Sequence, residues 1–348
     1  APEETLWLAK PHVGSNALPA IVRRLRRALV AGGADVRFGV RVDDLVVRAG
    51  RVVGVVCSEA GGEPFELEAG AVVLGVGHSA RDTLRMLLRH GVEARAKPFQ
   101  SGLRVEHPQR LIDASQYGEA CGHPRLPVAE YAVVARRPAG GPSDVYSFCM
   151  CPGGEILPSS ERPGVLCTNG ASPRARNGPF ANSGLVVTVD PAAFGHDAAR
   201  GIDYVERLER AGWELGGADF GVPGQRVADF LEGRVSESLG PTSYPLAVRS
   251  APLERVLPEG ALPALRAALH DFERRIPGYI GEHAMLVGPE SRSSAPLRLE
   301  RDGQTYESVS HPGLYPVGEG AGHAGGIMSA AVDGLRAAEA LAWSWSPA

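Results

Sequence analysis

Cys149-Met150-Cys151 is the most pointed piece of chemistry in the sequence. On a strand, residues i and i+2 face one side, so both thiols would line one surface and could act as a redox pair. The plain alternative is a pair of small apolar side chains in a core. Glu106 and His107 stand side by side in GLRVEHPQ. An imidazole that titrates near neutrality, tuned by a neighbouring carboxylate, is a candidate acid–base pair; the plain alternative is a loop with two solvated or hydrogen-bonded side chains. Cys121 and His123 could join Cys149 and Cys151 around zinc, but the spacings match no common finger. Arg104, Arg292 and Arg298 could hold an anionic substrate bidentately, although lone arginines more often lie on the surface or in structural ion pairs.

A second signal lies near the C-terminus, in GLYPVGEGAGHAGGIMSAAVDG, residues 313–334. Gly320 to Gly325 spells G-x-G-x-x-G, but no length of chain follows for the second strand and ribose-binding acid that a dinucleotide fingerprint needs. The informative parts are a short strand, the pair Gly318-Glu319, a bare backbone loop and a helix start at Gly325-Gly326. Free N–H groups and the positive helix end suit an anion, glycines allow close approach, and a carboxylate can accept from polyol hydroxyls. The plain alternative is a glycine-rich turn before a packing helix. Gly334, inside that helix, predicts close packing there, since an interior glycine costs about 1 kcal/mol relative to alanine.

Composition narrows the class. The chain has 348 residues, 44% hydrophobic and 22% charged, as expected of a globular protein with one large or two ordinary domains. A net charge of −4 argues against nucleic acid or a membrane surface as partner. Lys10 and Lys97 are the only lysines, which reads as genome composition. The odd, sparse set of five cysteines points to a reducing cytosol rather than a disulfide framework. No G-x-S-x-G elbow or P-loop is present.

Several elements must position these residues. The apolar spacing of Leu18, Ile21, Val22, Leu25 and Leu29 predicts an amphipathic helix over 15–32, with Ser15 or Asn16 as N-cap. Strand-like runs follow at 36–40, 45–48, 52–57 and 65–68, with a tight turn at Ala49-Gly50. AVVLGVG (71–77) predicts a buried parallel strand, and Ser79 with Asp82 a capping box for the next helix. Residues 98–284 change texture, with strands at 145–151 and 184–189 and helices near 201–215, 223–233 and 261–276.

LAKPHVGSNALPAIVRRLR, AVVLGVGHSARDT, KPFQSGLRVEHPQRLID, VYSFCMCPGGEI, GPESRSSAPLR and the C-terminal glycine block together resemble a family of bacterial FAD-dependent dehydrogenases. That family belongs to the two-dinucleotide-domain flavoproteins, related in architecture to glutathione reductase. The resemblance covers nearly the whole chain and implies an α/β fold. It implies an incomplete FAD/NAD(P)-binding domain in residues 1–97 and 285–348, interrupted by an inserted α+β domain in 98–284. FAD is the implied cofactor. Gly318, Glu319 and Gly320 are then expected near the ribityl–pyrophosphate, and Gly325, Gly326 and Ile327 at its flavin end. Gly75, Gly77 and His78 would form a further turn beside the cofactor. The implied activity is a cytoplasmic oxidoreductase acting on a small-molecule substrate, with NAD(P)H or another electron donor as partner. The family's opening G-x-G-x-x-G unit is absent. The chain is therefore expected to be part of a longer parent, to be inactive alone, to bind FAD weakly or not at all, and to expose apolar strand surface. A flavin-fold scaffold without catalysis is the rival reading.

Overall fold

A computed structural model describes residues 12–138, 141 and 143–345. Helix α1 (Leu18–Ala31) is followed by the meander β1 (Val40–Arg48), β2 (Arg51–Glu59) and β3 (Phe65–Glu68), paired antiparallel in that order. The β1–β2 turn has both Ala49 and Gly50 at positive φ, which matches the right-handed twist of a hairpin. Strand β4 (Val72–Leu74), helix α2 (Arg81–Arg89) and strand β5 (Ala94–Ala96) complete this part.

The chain then builds a large sheet. Its elements are β6 (Phe99–Pro108), α3 (Gln109–Tyr117), β7 (Val134–Ala135), β8 (Val145–Pro158), β9 (Thr168–Ala171) and β10 (Phe180–Val189). After them come α4 (Ala198–Leu215), β11 (Val222–Arg226), α5 (Val227–Glu232), β12 (Val248–Ser250), α6 (Ala261–Arg275) and β13 (Met285–Glu290). The strand order is β12-β11-β13-β6-β10-β8-β7, with β9 added on β8. Its apolar face packs on α6 around Leu103, Leu185, Leu265, Phe272 and Leu286.

Finally, β14 (Leu297–Leu299) pairs antiparallel with β5, β15 (Leu314–Pro316) pairs parallel with β4, and α7 (Ile327–Trp345) closes the described chain. A separate core of Leu45, Leu74, Leu84, Leu87, Leu297 and Leu314 joins these late elements to the early ones. Pro316 is tolerated because β4 is the only strand that pairs with β15 among the described residues.

Several expectations need correction. The large sheet does not end at 284, since β13 hydrogen-bonds to β11 and β6 within it. The run 36–39 is not strand, and the helix expected at 223–233 is divided into β11 and α5 because Pro223 and Gly224 favour extended backbone. Ala17 and Ala80 occupy the N-cap positions of α1 and α2, neither with a side-chain cap. Ser15 and Asn16 are spent instead on the loop after β9: Ser15 Oγ donates to Ser172 O at 2.8 Å, and Asn16 Oδ1 accepts from Arg174 N at 2.9 Å. Ser79 Oγ accepts from Arg292. The first block of the resemblance begins at residue 8, and residues 8–11 lie outside the described residues.

The strand at 71–77 is only half-hidden: Leu74 is buried, but Val73 and Val76 are exposed. Helix α1 buries no residue, so Ile21, Val22, Leu25 and Leu29 present their apolar face without a partner among the described residues. Helix α7 likewise exposes Ile327, Met328, Leu335 and Trp343. No helix among the described residues is long and apolar enough to cross a membrane. A Cβ added at Gly334 would meet nothing within 4 Å, which overturns the expected close packing. Gly334→Ala should therefore raise stability by about 1 kcal/mol through helix propensity alone, read as a higher urea midpoint.

Candidate functional site

Strands β4 and β15 run parallel, and both loops leave their carboxyl ends, where ligands bind in open α/β sheets. The β4 loop carries Gly75, Gly77 and His78; the β15 loop carries Gly318 to Gly326. Val317 N donates to Leu74 O at 3.0 Å, extending the pair by one bond before the loops diverge. The loops then meet again, with His78 Nε2 3.3 Å from Glu319 Oε1.

Two glycines of the GEGAG run are required by contact. A Cβ on Gly320 would lie 2.3 Å from Gly77 O, and one on Gly322 would lie 2.2 Å from Leu297 O. Gly322 also has φ +78°, a left-handed conformation that costs other residues about 1–2 kcal/mol. Thus Gly320, expected at the cofactor, has its Cα face against the β4 loop. Its spacing to Gly322 is no accident of spelling; the pair lets three backbone segments touch. Gly318 also has positive φ, and its amide donates to Asp333 Oδ2 at 2.8 Å. Asp333 is held by Arg301, whose Nη1 also donates to Pro316 O at 2.7 Å. An aspartate on the last helix therefore fixes the strand end, a role that its apolar surroundings in the sequence concealed.

By contrast, the space in front of Gly77 and Gly325 is open, and Gly326 meets only Ser329 Oγ, at 3.9 Å. Gly326 O accepts from Ala330 N, so the helix starts here with its first amides free of an intrahelical acceptor. Ile327 is 71% exposed beside them. The opposite rim is cationic. Lys97 and Arg298 lie on adjoining segments, linked by the bond from Lys97 N to Pro296 O at 2.9 Å. Burial lowers the Lys97 ammonium's affinity for its proton, Arg298 lowers it further, and Glu319 opposes them. Arg298 Nε is buried without a hydrogen-bond partner. Lys97 was missed as a site residue; its rarity in an arginine-rich chain was the signal available.

The three arginines part company here. Arg104 is fully buried and bidentate to Glu290, through Nε to Oε2 at 2.9 Å and Nη2 to Oε1 at 3.0 Å. Arg292 is bidentate to Glu209 and donates to Ser79 Oγ at 3.0 Å. Only Arg298 keeps a guanidinium without a carboxylate partner.

Glu106 and His107 do not form the expected pair. They are adjacent on β6, so their side chains take opposite faces of the sheet, and they are 1% and 0% exposed. Glu106 accepts from Ser243 N at 2.8 Å and from Ser243 Oγ; burial raises its carboxyl, and these bonds oppose that. His107 Nε2 lies 2.8 Å from Tyr279 O, and burial pushes the ring down to about 4. It is a neutral core residue, and the carboxylate acting on it is Glu273 rather than Glu106.

Cys149 and Cys151 do come together, on β8. Cys149 is exposed, Cys151 is buried, and Cys151 Sγ donates to Cys149 O at 3.3 Å. Cys121 and His123 are not part of this group, because no cluster of three or more His, Cys, Asp or Glu suited to a metal exists among the described residues.

Residues 98–293 match the model of the FAD-dependent protein C-terminal domain-like family, and residues 3–102 match the FAD binding domain. The chain belongs to this family of FAD-dependent proteins. An uncharacterized protein of Clostridium beijerinckii is 41% identical over 97% of this chain, which spans 63% of that relative's length. FAD is the cofactor of the family, and the residues here fit it. Open glycines at a helix start, a carboxylate for hydroxyls, and two cations without paired carboxylates suit a ribityl–pyrophosphate chain.

Proposed function

We propose that this chain forms the larger part of an FAD-dependent oxidoreductase whose flavin lies across the β4 and β15 loops. When bound, FAD supplies the hydride or electron transfer. The helix-start amides at Gly325 and Gly326 hold an anionic group, and Glu319, oriented by His78, accepts from polyol hydroxyls. Lys97 and Arg298 neutralise the remaining negative charge. The carrying observation is the convergence of both loops at the carboxyl ends of one parallel pair, with Gly75 and Gly325 exposed.

In this reading the flavin layer is interrupted. Residues up to 97 and from about Leu297 onward share one core, and the large sheet is inserted between them. The exposed apolar faces of α1, β4 and α7 are where the rest of such a layer packs. The substrate is a small molecule reached from the large-sheet side, and NAD(P)H or another donor supplies electrons.

Titration with FAD, followed by flavin fluorescence, tests the site. The Lys97→Ala, Arg298→Ala double variant and Glu319→Ala should each weaken binding by about tenfold or more, the equivalent of about 1.4 kcal/mol. Unchanged dissociation constants in both would overturn the placement. A full-length parent that carries no flavin when purified natively and takes up no added FAD would overturn the cofactor reading.

A further inference from the structure

The dithiol on β8 sits in a built environment that nothing in the flavin reading uses. Opposite β10, Cys151 pairs with Asn182 and Phe148 with Gly184, so Cys149 and Met150 together face Ser183 alone. This is a β-bulge, and it holds Cys149 at φ +47°, an unusual conformation for a residue that is not glycine. Such outliers persist where the surroundings enforce them, and they cluster at functional sites. The bulge leaves Cys149 exposed, two residues from buried Cys151, whose Sγ reaches back to the Cys149 carbonyl.

Beneath the two sulfurs lies charge. A Cβ on Gly170 would fall 2.2 Å from Arg104 Nη1, 2.4 Å from Asn182 Oδ1 and 2.9 Å from Cys151 Sγ. Gly170 thus provides the room in which a guanidinium, an amide and a thiol converge. Arg104 is fixed there by Glu290 and by Asn182 Oδ1, which accepts from its Nη1 at 2.7 Å. Asn182 is fully buried, yet its Nδ2 has no partner, a donor left over beside the thiols. Cys151 Sγ also donates to Cys149 O at 3.3 Å.

We propose that Cys149 and Cys151 are a thiol–disulfide exchange pair acting on a disulfide substrate, Cys149 attacking and Cys151 resolving. The Cys149 thiolate attacks one sulfur of the substrate, forming a mixed disulfide and releasing the first substrate thiolate. Cys151 then attacks the Cys149 sulfur, and its proton goes to the departing second thiolate. The products are one substrate thiolate, one substrate thiol and an intramolecular Cys149–Cys151 disulfide. Return to the dithiol takes two electrons and two protons, for which reduced FAD is the donor. That last step alone rests on the flavin reading. Electrostatics fit the division of labour: hydrogen bonding from Cys151, aided by Arg104 against burial and Glu290, holds the Cys149 thiol down to about 6. Cys151 is displaced upward by the same contact and by burial. An attacking thiol with a proton affinity near ambient pH reacts fastest in such exchange.

The experiment uses a Cys121→Ser background, because Cys121 is the other exposed thiol, and the aromatic disulfide DTNB as probe. The Cys121→Ser chain should release both thionitrobenzoate groups from each DTNB consumed and yield a 149–151 disulfide peptide by mass spectrometry. Adding Cys151→Ser, or Cys151→Ala, should stop the reaction at a mixed disulfide on Cys149. Adding Cys149→Ser should slow the reaction at this site at least tenfold. Absence of the 149–151 disulfide, or equal reactivity without Cys149, would overturn the proposal. These readouts need no flavin, so their failure is distinct from failure to bind FAD.

Discussion

Glu209→Ala should lower the unfolding free energy by about 3–5 kcal/mol, the scale for removing one partner of a buried ionic group. Glu209 is fully buried on α4 and is the point at which three parts of the chain meet. Arg81, from the first turn of α2, donates through Nη1 at 2.8 Å and Nη2 at 2.7 Å. Arg292, just past β13, donates through Nε and Nη2, both at 2.8 Å, and Ser291 Oγ adds a bond at 2.7 Å. Burial works against the ionised carboxylate, but Arg292 and Arg81 outweigh it and hold the group down to about 2. Loss of the carboxylate removes the bidentate partner of two guanidinium groups that are almost wholly inaccessible to water, leaving Glu206 to Arg81 and Glu161 to Arg292. Helix α2 and the segment after β13 would also lose their shared anchor on α4. Glu209→Gln keeps hydrogen-bond acceptance at one atom and should cost less than alanine. Urea unfolding gives the comparison, and a change in Glu209→Ala of less than about 1 kcal/mol would show the network to be dispensable.

The second large effect is acid destabilisation through His107. Its folded value, about 4, lies below the reference of 6.5, so between the two the unfolded chain binds the extra proton. Stability from this group is complete above 6.5 and is lost as pH falls from 6.5 towards 4. At about 1.4 kcal/mol per unit, the loss approaches roughly 3 kcal/mol. His323, also pushed down to about 4 mainly by burial, adds a smaller loss in the same window because it is only half-buried. Glu209 behaves differently: its contribution is lost between its reference of 4.5 and about 2. His107→Gln should flatten the upper part of the acid limb and leave the lower part intact. The same slope between pH 6.5 and 4 in both proteins would place the protonation elsewhere.

Much of the fold was legible because it depends on local pattern. The β1–β2–β3 meander, the strands at 145–151 and 184–189, and helices α4 and α6 followed from alternation, helical spacing and turn residues. The Gly-Glu strand–loop–helix was legible for the same reason. What failed was local reasoning about partners. Ser15, Asn16 and Ser79 have the side chains of caps, but distant backbone and Arg292 claim them. Glu106 and His107 look like neighbours in sequence, but strand alternation separates them onto opposite faces.

The sequence by itself determined the family and the cofactor class, because the blocks that carry the resemblance are local runs of residues spread along the whole chain. Tertiary structure alone decided which charged groups remain free. Arg104 and Arg292 spend their guanidinium groups on buried carboxylates far along the chain, whereas Arg298 Nε is buried without a partner among the described residues. It also decided the surroundings of Cys149 and Cys151. A bulge set by the register of β10, with space left by Gly170, places a guanidinium beneath them. Pairing between distant segments has no local signature, and so it becomes visible only once the chain is folded.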